Sequence, residues 1–246
     1  MRAMIFSAGL GTRFKPWTDM HPKALALVNG KSLLQRNIEY LQKYGIMDVV
    51  VNVHHFADQI IAAIIKNNGW GSNVIVSDET NEVLETGGGL LKARELLESD
   101  EPFVTLNVDI LTNLNLNKLF EFHSKRKPLI SFGVTNRQTS RYFLFDKNDR
   151  LCGWRNTQTG EEKGPYLNAP QWENIKSTLV QKAYSCVVIC QPDIFRLINE
   201  TGKFSLTETY LNLAKDNLIL GYDHSGDILV DVGKPESVGL AEKLFP

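Results

Sequence analysis

The sequence has few cysteines, no basic excess and no long apolar run, and each of these features excludes a class of protein. Its three cysteines, Cys152, Cys186 and Cys190, do not have the number or spacing of a disulfide framework or a zinc site. Lysine and arginine number 27 against 28 acidic residues, whereas a general nucleic-acid binder usually has a basic bias. No apolar run approaches the roughly 20 residues of a membrane span. We therefore expect a protein of the reducing cytoplasm without nucleic-acid or membrane partners.

The remaining composition is that of an ordinary globular protein. The chain has 246 residues, of which 43% are hydrophobic and 22% are charged, and its formal net charge is -1. A chain of this size can bury a full core without disulfides or metals. We find no internal repeat and no clear linker, so we predict a single domain over residues 1–246. The sequence does not indicate an oligomeric state.

Apolar runs alternate with amphipathic stretches through the first half of the chain. This order predicts βαβ units and therefore an α/β fold, with a Rossmann-like, mainly parallel sheet covered by helices on both faces. In such sheets, ligands bind beyond the carboxyl ends of the strands. The predicted strands are 3–8, 48–53, 74–76, 103–106 and 129–134, and the predicted helices are 33–44, 57–67, 116–125 and a helix that follows the glycines at 87–89 and ends at 97.

The second half is less regular. We predict a hairpin from 142–145 and 151–154, strands at 184–190, 218–222 and 227–230, and helices at 194–199, 206–215 and 236–245. Residues 157–176 are polar and contain two glycines and two prolines, so we interpret them as a surface excursion that could act as a lid.

A glycine loop directly follows the first predicted strand. It reads Ala8-Gly9-Leu10-Gly11-Thr12-Arg13, with Pro16 and then Pro22-Lys23 further on. Glycines in this position let backbone N–H groups approach a phosphate or a base closely. The loop is not a P-loop, because no Gly-Lys-Ser/Thr follows, and it is not a dinucleotide fingerprint, because Phe14 occupies the third glycine position. Two fixed cations near a glycine loop indicate an anion site.

These motifs resemble those of the sugar-1-phosphate nucleotidylyltransferases. The resemblance continues through Glu85-Thr86-Gly87-Gly88-Gly89, Asp109 and the segment Asp231-Val232-Gly233-Lys234-Pro235-Glu236, and so covers nearly the whole chain in order. It implies the nucleotide-diphospho-sugar transferase type of fold. The short length and the last two motifs look most similar to the N-acetylmuramate-1-phosphate uridylyltransferase branch. Mannose-1-phosphate guanylyltransferase-like members are near neighbours.

The resemblance implies a reaction between an NTP and a sugar-1-phosphate that gives an NDP-sugar and pyrophosphate. By this resemblance Arg13 stabilises the leaving pyrophosphate, and Lys23 holds the sugar phosphate and the α-phosphate together. Asp109 and Asp231 are expected to bind Mg²⁺, which prefers oxygen ligands. The attacking phosphate is already nucleophilic, so alignment and charge neutralisation suffice for catalysis.

The resemblance also divides the binding residues between two halves of the domain. Residues 1–135 are expected to bind the nucleotide and residues 136–246 the sugar. The candidate sugar contacts are Glu161 and Asn168, in the polar excursion. The candidate nucleotide contacts are Ala8, Gly9, Leu10, Gly11, Thr12, Thr80, Glu85, Thr86, Gly87 and Gly88.

Three positions depart from the family pattern. Val108 replaces a usual glycine before the metal aspartate, Ser32 replaces a common proline, and Cys186 follows Ser185 where a glycine is common. The first departure could alter the metal position, and the third could alter which sugar fits.

The nucleobase and the sugar remain open, with UTP and an N-acetylmuramate- or hexose-1-phosphate favoured over a GTP-dependent mannose-1-phosphate enzyme. A catalytically silent relative that binds nucleotide sugars is a further alternative, although it would be expected to lack one of the four charged residues. A glycosyltransferase usually has an Asp-x-Asp motif, whereas this chain has Asn107-Val108-Asp109.

Overall fold

The computed structural model describes residues 1–167 and 172–246. Its strands are β1 (Arg2–Phe6), β2 (Leu27–Val28), β3 (Lys31–Ser32), β4 (Asp48–Val53), β5 (Asn73–Asp78), β6 (Phe103–Asn107), β7 (Ile110–Thr112), β8 (Ile130–Thr135), β9 (Arg141–Phe145), β10 (Leu151–Asn156), β11 (Glu162–Lys163), β12 (Val180–Cys190), β13 (Ile219–Asp223) and β14 (Leu229–Asp231). Its α-helices are α1 (Leu33–Gln42), α2 (Ala57–Lys66), α3 (Glu85–Lys92), α4 (Arg94–Leu97), α5 (Leu116–Arg126), α6 (Trp172–Lys176), α7 (Ile194–Leu197), α8 (Leu206–Leu213) and α9 (Val238–Leu244).

Short 3₁₀ helices complete several connections. They span Thr12–Phe14, Trp17–Asp19, Lys23–Leu25, Asn68–Gly71 and Pro235–Ser237. The last of them precedes α9, which explains why the regular helix begins at Val238 rather than at the predicted residue 236.

The main sheet has a parallel core and antiparallel additions. Strands β6, β1, β4 and β5 are parallel neighbours in that order, and β13 lies parallel to β8. Strand β12 is antiparallel to β6, β8 and β9, and the β9–β10–β11 meander continues from it. The α/β prediction is confirmed, and the sheet as a whole is mixed. Apolar runs identify strands but do not fix their direction, so the antiparallel entry of β12 could not be read from the pattern.

Alternating side chains on the strands separate two apolar cores, one on each face of the sheet. On β1, Ala3 and Ile5 pack into the core covered by α1, α2, α5 and α9, whereas Met4 packs into the core covered by α3, α4, α7 and α8. Period-two alternation is what a strand with helices on both faces requires. The prediction of helices on both faces is therefore confirmed.

The first helix shows how local sequence sets an element. Ser32 Oγ accepts a hydrogen bond from the backbone N of Gln35 at 3.1 Å, which satisfies one of the free N–H groups at the start of α1. Gly45 has a φ of 74°, a conformation that favours glycine and ends the helical run. The predicted apolar stripe, which includes Leu34, Ile38 and Leu41, is fully buried.

The polar excursion in the second half carries some regular structure. Strand β11 pairs with β10, and Lys163 Nζ donates to Glu208 Oε1 on α8 at 2.7 Å. The same ammonium lies 5.7 Å from the ring centroid of Trp154. These contacts tie the described part of the excursion to the rest of the second half. Within the two described ranges, no helix is long and apolar enough to cross a membrane.

Candidate functional site

A cavity of about 600 Å³ opens where β1 and β6 end, beside Tyr184 and Cys186 of β12. Both halves of the chain contribute to it, and its walls combine charged, hydroxyl and aromatic side chains. The lining residues are Phe6, Arg13, Thr86, Asn107, Asp109, Ile110, Arg137, Thr139, Ser140, Arg141, Phe143, Trp154, Tyr184, Cys186, Ser205, Leu206, Thr207, Tyr210 and Asp231. Arg13 after β1, Thr86 of α3 and Asp109 after β6 line it together, whereas the predicted nucleotide contacts Ala8, Gly9, Leu10, Gly11 and Thr12 are not among its described lining residues.

The glycine loop is built to hold its backbone in a sharp turn. Gly11 has a φ of 64°, and a Cβ there would lie 2.7 Å from Thr18 Cγ2, so a larger residue would be excluded. Thr18 Oγ1 donates to the Gly11 carbonyl at 2.9 Å, and the buried ring of Phe14 anchors the far end of the loop. By contrast, a Cβ on Gly9 would meet no protein atom within 4 Å. Protein packing therefore does not require glycine at position 9, which leaves that side of the loop open to a ligand.

Lys23 and Asp109 form an ion pair at the cavity. Lys23 Nζ donates to Asp109 Oδ2, and both side chains are mostly buried. Asp109 follows β6 at the predicted edge, and its neighbour Val108 is buried in the core with its carbonyl accepting from Asn37 Nδ2 at 2.9 Å. Val108 therefore points away from the cavity, and this departure from the family pattern does not fill the space beside Asp109.

Asp231 lies beside Asp109 because the backbone brings the two segments together. Strands β7 and β14 pair with Asp231 opposite Ile110, and the Val232 N–H donates to the Asp109 carbonyl at 2.8 Å. Asp231 Oδ1 is buried and has no hydrogen-bond partner among the described residues. A Cβ on Gly233 would lie 2.6 Å from this oxygen and 3.0 Å from Arg13 Nη2. Arg13, Asp109 and Asp231 therefore line the cavity, and Lys23 is joined to this group through its ion pair with Asp109.

Asp109 and Asp231 fit a hard divalent cation. A buried carboxylate oxygen without a partner is costly unless a cation or donor satisfies it, and Asp231 Oδ1 is such an atom. Within residues 1–167 and 172–246 there is no cluster of three metal-binding side chains. Mg²⁺ does not require one, since it is commonly held by one or two carboxylates together with substrate phosphates and water.

The glycines at the start of α3 are explained by close packing. Cβ atoms on Gly87 and Gly88 would lie 2.2 Å from the Phe204 ring and 2.1 Å from the Gly202 carbonyl oxygen, and one on Gly89 would lie 2.7 Å from Glu79 Oε1. All three are buried inside the protein. Thr86 alone of this segment lines the cavity, and its Oγ1 accepts from the Leu206 N–H at 3.1 Å. The nucleotide-binding role of Gly87 and Gly88 stays a prediction.

The other predicted contacts are placed less centrally. Thr80 is exposed at the end of β5, and Glu85 is exposed at the start of α3, 3.7 Å from Lys203 Nζ. Glu161 is not among the described residues that line the cavity. Its carboxylate lies 3.4 Å from Lys163 Nζ on the surface. Asn168 lies outside the described residues. The predicted roles of these four residues are not tested by their positions.

Most of the cavity wall that residues 136–246 form, the second-half wall, was not predicted from the sequence. Arg137 follows β8 and donates through Nη2 to the Tyr184 carbonyl at 3.0 Å, while its buried Nε has no partner among the described residues. Arg141 opens β9, and the Tyr210 ring of α8 lies beneath the cavity. No local motif marks these residues, because they meet only through the pairing of β8, β9 and β12.

Cys186 projects from a distorted part of β12 into this wall. Its φ of 56° is a left-handed conformation that is unfavourable for a residue with a side chain. Burial raises the pKa of the Cys186 thiol to about 12, with the Asp109 carboxylate adding to the effect. The side chain is therefore a neutral part of the cavity surface and not a nucleophile.

Comparison with known sequences identifies relatives of this chain. Residues 2–147 match the family profile described as Nucleotidyl transferase. The chain is 30% identical to N-acetylmuramate alpha-1-phosphate uridylyltransferase of Caulobacter vibrioides over 98% of its own length and 95% of that protein. It is 28% identical to mannose-1-phosphate guanyltransferase of Yarrowia lipolytica over 96% of its length, but it spans 61% of that protein.

Comparison with solved structures identifies the same fold. The structure of HddC from Yersinia pseudotuberculosis complexed with GMP-PN superposes with a TM-score of 0.76 at 23% identity, covering 100% of this chain and 99% of that one. UDP-glucose pyrophosphorylase complexed with UDP-glucose gives a TM-score of 0.74 at 18% identity, covering 99% and 97%. Both similarities extend through the second half of the chain as well as the first.

Proposed function

This chain belongs to the nucleotidyl transferase family and is a sugar-1-phosphate nucleotidyltransferase, and we propose that it transfers UMP from UTP to an N-acetylmuramate- or hexose-1-phosphate. The observation that carries the proposal is the grouping of Arg13, Asp109 and Asp231 on the wall of one cavity, with Lys23 paired to Asp109. The sequence similarity to the uridylyltransferase of Caulobacter vibrioides extends over nearly both full chains and supports UTP as the donor.

The reaction joins two anions. An oxygen of the sugar phosphate attacks the α-phosphorus of UTP, a new P–O bond forms, and the bond from that phosphorus to the bridging oxygen of pyrophosphate breaks. Mutual repulsion opposes the approach, so the main requirement is fixed positive charge and in-line alignment. Arg13, beside the glycine loop, neutralises the leaving pyrophosphate, and Lys23 bridges the sugar phosphate and the α-phosphate. No protein nucleophile takes part.

Asp109 and Asp231 would hold Mg²⁺, which supplies charge neutralisation and orientation for the phosphate oxygens when bound. The backbone contact between Val232 and Asp109 fixes the separation of the two aspartates before any ligand arrives. Gly9, Leu10, Gly11 and Thr12 follow β1 and offer backbone groups to the triphosphate and base, together with Thr86 from α3. In this proposal residues 1–135 bind the nucleotide and residues 136–246 bind the sugar.

The second-half wall favours an acidic sugar. Arg137 and Arg141 line it together with hydroxyl side chains, and the carboxylates among the described lining residues are those of Asp109 and Asp231. N-acetylmuramate carries an N-acetyl group and a lactyl ether with a carboxylate that a neutral hexose lacks, and arginine pairs with carboxylates through paired N–H donors. This supports N-acetylmuramate-1-phosphate over glucose- or mannose-1-phosphate.

A GTP-dependent mannose-1-phosphate enzyme is the second candidate, since several mannose-1-phosphate guanyltransferases are about as similar in sequence. A silent relative is disfavoured because all four charged residues are present and close together. The three cysteines have free thiols within the described residues.

Pyrophosphate release tests the proposal. UTP, GTP, CTP, dTTP and ATP would each be combined with N-acetylmuramate-, glucose- and mannose-1-phosphate in the presence of Mg²⁺. We expect release that requires UTP and N-acetylmuramate-1-phosphate together. Release with GTP and mannose-1-phosphate alone would transfer the assignment to the second candidate, and release with no pair by a folded, NTP-binding protein would favour the silent relative.

A further inference from the structure

A buried serine–histidine pair lies next to the second-half wall of the cavity, which the proposed function assigns to the sugar. Ser185 Oγ and His224 Nε2 are 2.7 Å apart, and the two side chains are 0% and 5% exposed. His224 follows β13, and its backbone N–H donates to the Val134 carbonyl at 2.9 Å. Gly133 leaves room for the imidazole, since a Cβ there would lie 3.3 Å from His224 Nε2. The pair therefore joins β12 to the β8–β13 side of the sheet.

The pair coincides with the one irregular stretch in the pairing of β12 with β8. Register shifts between Tyr184 and Val188, so residues 185–187 form a bulge in the strand. Bulges redirect side chains and are common beside active sites. Here the bulge places Cys186 in a left-handed conformation facing the cavity, and it orients the Tyr184 carbonyl that accepts from Arg137 Nη2 at 3.0 Å.

We propose that Ser185 and His224 are positioning residues that hold this bulge and so determine which sugar-1-phosphate the cavity accepts. The proposal rests on the proposed function, since it assigns the second-half wall to the sugar. A left-handed cysteine is disfavoured by roughly 1 kcal/mol or more and persists only where its surroundings impose it. The hydrogen bond at the preceding residue is the contact that imposes it. Without that bond, the strand can relax toward regular pairing, which withdraws Cys186 and releases the carbonyl that steadies Arg137.

The chain contains a matched pair that lies away from the cavity. His123 Nδ1 and Ser131 Oγ are 2.9 Å apart, and His123 is 1% exposed. Ser131 belongs to the same strand, β8, that borders the bulge, yet its pairing partner in β12 is the regular residue Ile189. Loss of either pair removes buried hydrogen bonding from the sheet, and His123 Nε2 also lies 2.9 Å from Gln191 Nε2. Only loss of the Ser185–His224 pair is expected to alter the second-half wall.

Four variants test the proposal. Ser185→Ala and His224→Leu remove the bond, His224→Gln keeps a side chain that can donate to Ser185 Oγ, and His123→Leu is the control. KM and kcat are measured for N-acetylmuramate-1-phosphate and for UTP with Mg²⁺. We expect Ser185→Ala and His224→Leu to raise the sugar phosphate KM on the order of tenfold, the size of one lost hydrogen bond, and to leave the UTP KM nearly unchanged. His224→Gln is expected to restore much of the loss.

The contrary outcomes are distinct. An unchanged sugar phosphate KM, an equal rise in both KM values, or the same rise in His123→Leu would overturn the proposal. Failure of the wild-type protein to use any sugar-1-phosphate would instead contradict the proposed function. In that case the crystal structure of the Ser185→Ala variant decides the positioning role, because an unchanged Cys186 conformation and an unchanged Arg137–Tyr184 bond would exclude it.

Discussion

At the scale of single residues, the proposed active site contains two cations and two carboxylates that lie close to one another. Lys23 is paired with Asp109, and Arg13 lies beside Asp231 near Gly233. In the proposed reaction the cations are needed on phosphates and the carboxylates on a metal ion. When the nucleotide and the metal bind, the two cations therefore exchange carboxylate neighbours for phosphates, and the two carboxylates exchange cationic neighbours for the metal ion.

Replacement of Arg13 by alanine is expected to lower kcat by about a hundredfold or more, since a fixed donor on a charge that develops in the transition state contributes several kcal/mol. Pyrophosphate release at saturating substrates measures the effect. Lys15→Ala is the control, because Lys15 is exposed and pairs with Asp19 at 2.8 Å. Near-normal turnover in the Arg13→Ala variant would exclude the assignment of Arg13 to the leaving pyrophosphate.

Replacement of Lys23 by methionine is expected to strengthen metal binding in the absence of nucleotide. The ammonium now compensates Asp109, and without it the carboxylate attracts a divalent cation more strongly. Titration with Mn²⁺, followed by its electron paramagnetic resonance signal, should show a severalfold lower Kd than in the wild type. Lys15→Met should not change the Kd. A weaker or unchanged Kd in the Lys23 variant would show that the ion pair does not compete with the metal.

At the scale of elements, α3 depends on the glycines that begin it. The backbone of Gly88 lies against the Gly202 carbonyl, so this end of the helix and the segment before α8 share one packed contact. Since Ser205, Leu206 and Thr207 line the cavity, the glycines position the second-half wall as well as the first half.

The Gly88→Ala substitution is expected to lower the free energy of unfolding by about 1–3 kcal/mol, as is typical when a methyl group is forced into a packed interior. Gly239→Ala in α9 is the control, because a Cβ there meets nothing within 4 Å. That change should raise stability by up to about 1 kcal/mol, the helix preference of alanine over glycine. Urea unfolding of both variants measures the difference, and equal effects would contradict the packing explanation.

At the scale of the whole molecule, buried histidines couple stability to pH. Burial lowers the pKa of His123 to about 4 from its ordinary value near 6.5, and burial also lowers the pKa of His224 against the opposing charge of Asp227. Between these pH values the unfolded chain binds more protons than the folded chain. The free energy of unfolding therefore falls as pH decreases from about 6.5 to about 4.

His123 alone is expected to contribute a slope of up to about 1.4 kcal/mol per pH unit in that window. Urea unfolding at several pH values between about 7 and about 4 measures the slope. The His123→Gln variant, which cannot titrate, should show a smaller slope than the wild type. If the two slopes were identical, the imidazole would not be the group that binds the proton. Burial raises the pKa of Glu79, which contributes in the opposite direction and is unchanged by this substitution.

The sequence by itself determined the α/β class, the parallel core and the positions of the principal motifs. These features are local: apolar period, capping residues such as Ser32, and glycines next to strand ends are all encoded in short stretches. The motif resemblance singled out Arg13, Lys23, Asp109 and Asp231, whose roles stay predictions. Parallel strands explain why the segments after β1 and β6 share one edge of the sheet, whereas Asp231 comes beside Asp109 through the pairing of β14 with β7.

Only the tertiary structure decided the direction of β12, the bulge at residues 185–187 and the membership of Arg137, Arg141 and Tyr210 in the cavity. It also showed that Gly88 is required by a carbonyl more than a hundred residues away in sequence. Strand direction and pairing depend on contacts between segments distant in the chain, whose apolar patterns are compatible with either direction. The class of reaction could be inferred from motifs, whereas the wall to which we assign the sugar is formed by residues that no motif marks.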